Sequence, residues 1–481
     1  MPPATPETMS RRAWALLFVL CGTIFLEGID VAMLAVAVPS IRSDLELPTD
    51  VAAWVMSAYV LGYAGFTLLG GRAADLLGRR RMFLGALTVF LLFSGLGGFA
   101  TEGWMLIVAR LVTGVAAAFM TPAAMSIITT SYAEGPQRNR ALLVFAGTAA
   151  GGFSLGLVIG GALTSFGWRW VFFAPVLLAG AILLAAVRLV PAERPPVRTG
   201  GFDLLGAAVA AGTMLLLAFA IVRLEHGLEG WPLTLAAFVA GLVLARVFAA
   251  VERRSAAPLV RLGILHKASV VRADLGALLF VGSFFGFQFI VTLYLQELRG
   301  WSSMETALAL VVMGCDAVLA PTLTPRLVDR FGNARVIFGG FVVATVSYAL
   351  FLPVGDDWSY AAMFPTLILT GTAFALAYGP LTIAATDGVD EAEQGLAGGL
   401  LHTATQFGSA VGVSSVTAVY GLASAGGAGQ LAAYRAALAV PVVMVVLGAL
   451  VTSFGLRARW RTEPVAVSAP GPRSGAPAGR G

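Results

Sequence analysis

Two stretches decide the fold. The first is Arg72-Ala-Ala-Asp75-Leu-Leu-Gly78-Arg79-Arg80-Arg81-Met-Phe-Leu-Gly85, and the second is Arg326-Leu-Val-Asp329-Arg-Phe-Gly332-Asn-Ala-Arg335-Val-Ile-Phe-Gly339. Arginine, aspartate, glycine, arginine and glycine recur at a single offset of 254 residues. Each stretch is a short basic loop between apolar runs. Five identities at one offset mark an internal repeat rather than two unrelated basic loops, and repeats of this length signal duplicated architecture.

The surrounding composition says what is duplicated. Of 481 residues, 58% are hydrophobic and only 12% charged, with a mean hydropathy of +0.86. Soluble domains run near 45–50% apolar and about 25% charged, so a soluble enzyme, a nucleic-acid binder and a disordered scaffold are excluded. At about 20 residues per crossing the apolar content suffices for roughly fourteen spans. Runs long enough lie at 13–39, 51–71, 82–101, 104–130, 141–165, 170–191, 203–222, 232–251, 273–296, 304–325, 336–354, 359–385, 396–422 and 432–456. Ser10-Arg11-Arg12 before the first run resembles the opening of a twin-arginine export signal, but no small-residue cleavage site follows. The run reads as the first helix with its basic flank.

The offset carries span two onto span ten, so the expected plan is an all-α membrane protein of fourteen helices arranged 6+2+6. A six-helix bundle is expected over 13–191, a two-helix insertion with cytoplasmic linkers over 192–269, a second six-helix bundle over 270–456, and a disordered cytoplasmic tail over 457–481. Basic residues set the orientation. With both termini cytoplasmic, 25 of the 31 fall on the inner side, five on the outer side, and Arg110 lies within a helix. The net charge of +5 is therefore a topology signal, not a nucleic-acid footprint. Trp54, Trp104, Trp168, Trp170, Trp231, Trp301 and Trp358 fall at outer helix ends, as an interfacial belt does. Cys21 and Cys315 each sit in an apolar run and imply no disulfide framework.

Further motifs give the chain a resemblance. Asp30 is followed nine positions later by Pro39. Gly71-Arg-Ala-Ala-Asp75-Leu-Leu-Gly78-Arg79-Arg80-Arg81 opens the first repeat. Arg110-Leu-Val-Thr-Gly114 lies in span four, and Gly156-Leu-Val-Ile-Gly160-Gly161 in span five. Together these resemble the first-helix, loop, fourth-helix and antiporter motifs of the 14-span drug:proton antiporter family of the major facilitator superfamily, over about residues 13–456. Ala35, Leu76, Thr113 and Leu157 depart from the family pattern; Leu157 stands where the antiporter motif has proline. The resemblance implies proton-coupled efflux of small lipophilic or cationic compounds (drugs, antibiotics, dyes) across the bacterial inner membrane. The alternative is a dedicated exporter of one endogenous natural product or lipid. Partners are the small-molecule substrate, protons and the bilayer, with no nucleic acid and no cofactor, and the chain is expected to work as a monomer. It carries no phosphate-binding loop and no H-E-x-x-H cluster, and His226, His266 and His402 lie far apart, so neither ATP-driven transport nor metalloenzyme chemistry is indicated.

Ionisable side chains inside spans are costly and hence functional candidates. Glu27 and Asp30, three apart, share a helical face in span one. A carboxylate that takes up and releases protons is what coupling requires; alternatively the two serve as partners for Arg110. Asp316, near the middle of span ten, is a second proton or cation site, or else a protonated, hydrogen-bonded structural group. His402 in span thirteen is a cavity-lining hydrogen-bonder or a titrating group. Phe280, Phe284 and Phe287, with Gln288 among them, form an apolar substrate wall if they face inward, and otherwise face lipid. The loop Gly71, Asp75, Gly78, Arg79, Arg80, Arg81 is a solvated basic loop or, as the resemblance implies, a latch: a carboxylate at a helix end can dock on a neighbouring helix N-terminus. Gly152, Gly156 and Gly160 leave a smooth strip on span five for close packing. By the superfamily's arrangement that strip is expected to pack against span ten, on a helix without the proline bend.

Overall fold

The structure describes residues 9–192, 204–223, 231–255, 262–427 and 429–458. The expected tail beyond 458 and the linker residues 193–203 and 256–261 lie outside them. In the computed structural model every secondary-structure element among the described residues is a helix. The helices are α1 (Arg11–Asp44), α2 (Thr49–Leu77), α3 (Arg79–Gly98), α4 (Gly103–Ser131), α5 (Pro136–Phe166), α6 (Trp170–Leu189), α7 (Leu204–Val222) and α8 (Trp231–Arg254). They continue as α9 (Ala268–Leu293), α10 (Ser303–Leu310), α11 (Asp316–Thr322), α12 (Thr324–Phe331), α13 (Asn333–Phe351), α14 (Tyr360–Thr386), α15 (Gln394–Ala425) and α16 (Gln430–Ala458). Taking α10 to α11 as one, twelve of the described helices are long and apolar enough to cross a membrane. The sequence reading adds α2, which carries Arg72 and Asp75 near its end, and α7, with the shorter apolar stretch Leu205–Ile221.

Local chemistry sets several boundaries. Ser10 caps α1 by accepting from the Ala13 N–H at 3.1 Å. Ser302 and Glu305 form a reciprocal capping box at α10. The repeated loops fold alike: Gly78 between α2 and α3 has φ 100°, and Gly332 between α12 and α13 has φ 84°. Only glycine adopts that conformation freely, so the recurring glycine buys the same sharp turn twice.

Span ten is not one continuous helix. A 3-10 turn, Val311–Cys315, separates α10 from α11, and a further break at Leu323 precedes α12. Pro321 and Pro325 each remove a backbone donor here, and a 3-10 stretch inside a helix commonly marks a hinge. The break directly precedes Asp316.

The glycine strip of α5 packs differently from expectation. A Cβ on Gly152 would come within 3.0 Å of Phe25 Cα, one on Gly156 within 2.7 Å of Ile29 Cα, and one on Gly160 within 2.6 Å of Met33 Cα. The strip therefore lies on α1, inside its own half. A neighbouring face of α5 meets span ten: Gly147 opposes Ala320, Gly151 opposes Ala317, Ser154 opposes Gly314 and Gly161 opposes Met304. The physical reason is that α5 is small-sided on two faces: the three glycines spaced by four meet the α1 backbone, and the adjacent small residues meet span ten. With leucine at 157, α5 runs unbroken from Pro136 to Phe166.

Candidate functional site: a cavity between the halves

A cavity of about 440 Å³ lies between α1, α2, α4 and α5 on one side and α9, α14 and α15 on the other. That volume suits a drug-sized molecule. Glu27, Tyr59 and Arg110 line it from the first half; Phe284, Phe285, Gln288, Phe374, Tyr378, His402, Gln406 and Ser409 line it from the second. Phe153 of α5 and Phe285 of α9 meet edge to face at 5.7 Å, so an aromatic contact bridges the halves in its wall.

The two acids of α1 part company. Glu27 borders the cavity and accepts from the Thr121 hydroxyl at 2.8 Å. Asp30, three residues on, is 2% exposed and pairs with Arg110, whose Nη1 donates to Asp30 Oδ2 at 2.5 Å. The Arg110 guanidinium also sits 4.4 Å from the Tyr59 ring centroid. Arg110 thus joins the buried carboxylate to the cavity wall, while Glu27 has no basic partner among the described residues.

Gln288 and His402 are buried at the cavity wall, and among the described residues neither Gln288 Oε1 nor His402 Nε2 has a hydrogen-bond partner. Both residues belong to the wall that a bound molecule would meet. Asp316 is fully buried and lies apart from the lining. Among the described residues neither of its carboxylate oxygens meets a side-chain partner.

The aromatic wall needs correction. Of the phenylalanines expected to face inward, Phe284 does, but Phe280 packs on Phe341 and Phe374, and Phe287 on Tyr348 and Phe351. The cavity stripe of α9 is instead Val281, Phe284, Phe285 and Gln288, one ridge round the helix from the expected one. In hydrocarbon every face of such a helix is apolar, so phenylalanine spacing does not distinguish a cavity face from a helix-packing face. Gln288 was the better guide, since a polar side chain at this depth must face protein or water. The same signal on α15 was missed: His402, Thr405, Gln406 and Ser409 stand at i, i+3, i+4 and i+7, a polar stripe in an apolar helix.

Away from the cavity lining, the repeated loop ties α2 to α15. Asp75 Oδ1 accepts from the Gly395 N–H at 3.1 Å, and Oδ2 from the Leu396 N–H at 3.0 Å. Both amides belong to the first turn of α15, where unpaired N–H groups and the helix dipole favour an anion. Gly71 lets the backbones touch: a Cβ there would fall 2.3 Å from the Gly395 carbonyl oxygen. Arg79 donates to the Glu391 carbonyl at 2.6 Å and lies 3.6 Å from both the Asp75 and Glu391 carboxylates. Arg80 donates to the Val187 carbonyl of α6 at 2.8 Å, and Arg81 is exposed. Asp329, the repeat partner of Asp75, is exposed.

A bundle of apolar helices with a central cavity between duplicated halves is a transporter architecture. Residues 20–413 match the Major Facilitator Superfamily. The chain belongs to that family. It is 34% identical over 420 residues to the puromycin resistance protein pur8 of Streptomyces alboniger, covering 85% of this chain and 82% of that one. It is 32% identical over 465 residues to the cephamycin export protein CmcT of Amycolatopsis lactamdurans, covering 95% of each. It is 28% identical over 422 residues to the multidrug efflux pump LfrA of Mycolicibacterium smegmatis, covering 87% of this chain and 82% of the pump. In fold it is similar to the human organic anion transporter MFSD10 (TETRAN), with a TM-score of 0.66 and 16% identity over 92% of this chain and all of the other. The major facilitator chain described here is a multi-pass inner-membrane transporter.

Proposed function

We propose that the chain expels small lipophilic or cationic compounds, antibiotics and dyes among them, across the inner membrane by alternating access driven by protons. The observation that carries this reading is the cavity itself, with its aromatic walls and, at Glu27, an acid with no basic partner among the described residues; the Asp75 contact between α2 and α15 supports it. The relatives named for resistance and export support the direction of transport.

In this reading the chain crosses fourteen times as two six-helix bundles with α7 and α8 between them, both termini cytoplasmic, and works as a monomer. Glu27 takes up a proton from the outer side and Asp30 senses it through Arg110, with Asp316 a second proton site. Protonated Glu27 no longer attracts a cation, so proton entry favours substrate release. Each proton moving down 100 mV supplies about 2.3 kcal/mol, equivalent to a substrate gradient of about fifty-fold. The latch at Gly71, Asp75, Gly78 and Arg79 holds the cytoplasmic ends together while the cavity faces outward.

The test is uptake into inside-out vesicles, where outward export reads as accumulation, against a panel of dyes and antibiotics, with and without a proton gradient. Gradient-dependent efflux of several unrelated compounds is the expected result. A response confined to one compound class assigns a dedicated exporter, and efflux indifferent to the gradient removes proton coupling.

A further inference from the structure

Helices α2 and α15 come from opposite halves, and each turns one side to the cavity and another to α7. On α2, Met56 and Val60 line the cavity. Around the helix, Trp54 stacks on Phe219 of α7 at 6.2 Å, and Leu215 fills a notch at Gly65 so fully that a Cβ there would come within 2.5 Å of it. On α15, Gln406 and Val413 line the cavity. Beside them, Phe407 packs on the cluster holding Ala218, and the Ser414 hydroxyl donates to the Ile221 carbonyl at 3.1 Å. Helix α7 therefore lies across the seam between the halves, directly behind the cavity wall. Helix α8 interlocks with it through Gly212 against Leu244 and Gly241 against Leu217, and presents Phe238 and Leu242 outward.

The two sides of α7 hold their neighbours differently. Against α2 the surfaces mesh, with a leucine in a glycine notch and stacked rings. Against α15 the contact is a hydroxyl-to-carbonyl bond, beside Phe407 packed on the shared cluster of Leu61, Ala64 and Ala218, and no glycine notch of α15 meets α7 among the described residues. Meshed surfaces move as one body, whereas smooth ones can shift past each other.

We propose that α7 is a sliding seal: it travels with α2 and glides over α15, keeping lipid out of the cavity as the halves rock. This rests on the alternating-access reading. When α2 and α15 separate at one end, an uncovered seam would open Glu27 and His402 to acyl chains, where polar groups find no partner. A helix fastened to both sides would prevent the separation. One that is meshed to a single half and smooth to the other meets both demands, and the two additional helices supply it.

The experiment uses the full chain with Cys21→Ala and Cys315→Ala. Trp54→Cys with Phe219→Cys joins α7 to α2, and Ala218→Cys with Phe407→Cys joins α7 to α15, each through a short, cleavable bifunctional thiol reagent. Proton-driven ethidium efflux is read in proteoliposomes before bridging, after bridging and after cleavage. The α7–α2 bridge is expected to leave efflux nearly unchanged, and the α7–α15 bridge to lower it at least about ten-fold, with recovery on cleavage. Undiminished efflux with the α7–α15 bridge, or loss with the α7–α2 bridge, overturns the proposal. Should a cysteine pair itself inactivate the protein, spin labels at the exposed positions Leu205, Trp54 and Leu422 give a readout free of transport. Between acidic and alkaline buffer the Leu205–Trp54 distance should hold while Leu205–Leu422 and Trp54–Leu422 change together. A fixed Leu205–Leu422 distance while Trp54–Leu422 changes overturns the seal alone. A fixed Trp54–Leu422 distance overturns the seal along with the alternating-access reading beneath it.

Discussion

Asp75 reaches across 320 residues of sequence to the backbone N–H of Gly395, at 3.1 Å, and so ties the end of α2 to the start of α15. The second oxygen holds Leu396 at 3.0 Å. Hydrogen bonds to a charged group contribute about 1.5–3 kcal/mol each. Losing both in Asp75→Ala should remove about 3 kcal/mol from the latched conformation, on the order of a hundred-fold in its population. Efflux is expected to fall at least about ten-fold at normal expression. Asp329→Ala, at the exposed repeat position, should have the smaller effect. Equal effects from the two variants would show that the Asp75 contact is incidental.

The buried pair gives a prediction with a built-in control. Asp30→Asn leaves Arg110 without its carboxylate partner, and breaking a buried pair costs about 3–5 kcal/mol. Thermal stability should therefore fall together with efflux. The double variant Asp30→Asn, Arg110→Gln removes both charges, so stability should return while efflux does not. Glu27→Gln keeps an acceptor for the Thr121 hydroxyl and strands no cation; it should spare stability and weaken the proton dependence of efflux. Full recovery of proton-driven efflux in the double variant would confine Asp30 to a structural role.

Much of this arrangement was legible beforehand, for identifiable reasons. The loop repeat predicts two matching turns because only glycine supplies the backbone at Gly78 and Gly332. Glu27, Asp30 and Arg110 stand out because charge is rare in a span. What the sequence withheld was which neighbour each apolar face meets. The strip Gly152, Gly156, Gly160 announces a close approach but not that α1, rather than span ten, makes it. Phe280 and Phe287 are as apolar as Phe284, and only tertiary packing sends them to α13 and α14 instead of the cavity.

The corrected strip has a testable consequence. A Cβ on Gly156 would press on the Ile29 backbone at 2.7 Å, and backbone cannot swing aside. Gly156→Ala should therefore destabilise the protein by about 1–3 kcal/mol through overpacking, and Gly156→Leu should abolish folding or efflux. At Gly161 the same added carbon meets the flexible end of Met304 at 2.9 Å, so Gly161→Ala should be tolerated. Melting temperatures of the two alanine variants decide it: a larger loss at Gly161 would contradict the α1–α5 packing.

Asp316 separates two roles that most substitutions confuse. It is fully buried behind the 3-10 turn, with no side-chain partner for either oxygen among the described residues. Asparagine has nearly its shape but cannot exchange a proton. Because no ion pair is broken, Asp316→Asn should leave the melting temperature unchanged or slightly raised; an unpaired buried carboxylate contributes no stability when ionised. If Asp316 is a second proton site, the variant should still bind substrate yet export it with a proton dependence reduced by about one proton per cycle, which at 100 mV lowers the attainable gradient by about fifty-fold. The measurement is the steady-state substrate gradient at fixed membrane potential, set beside substrate binding to the same protein in detergent. An unchanged gradient with unchanged binding would assign Asp316 to the framework of the span ten hinge and leave coupling to the acids of α1.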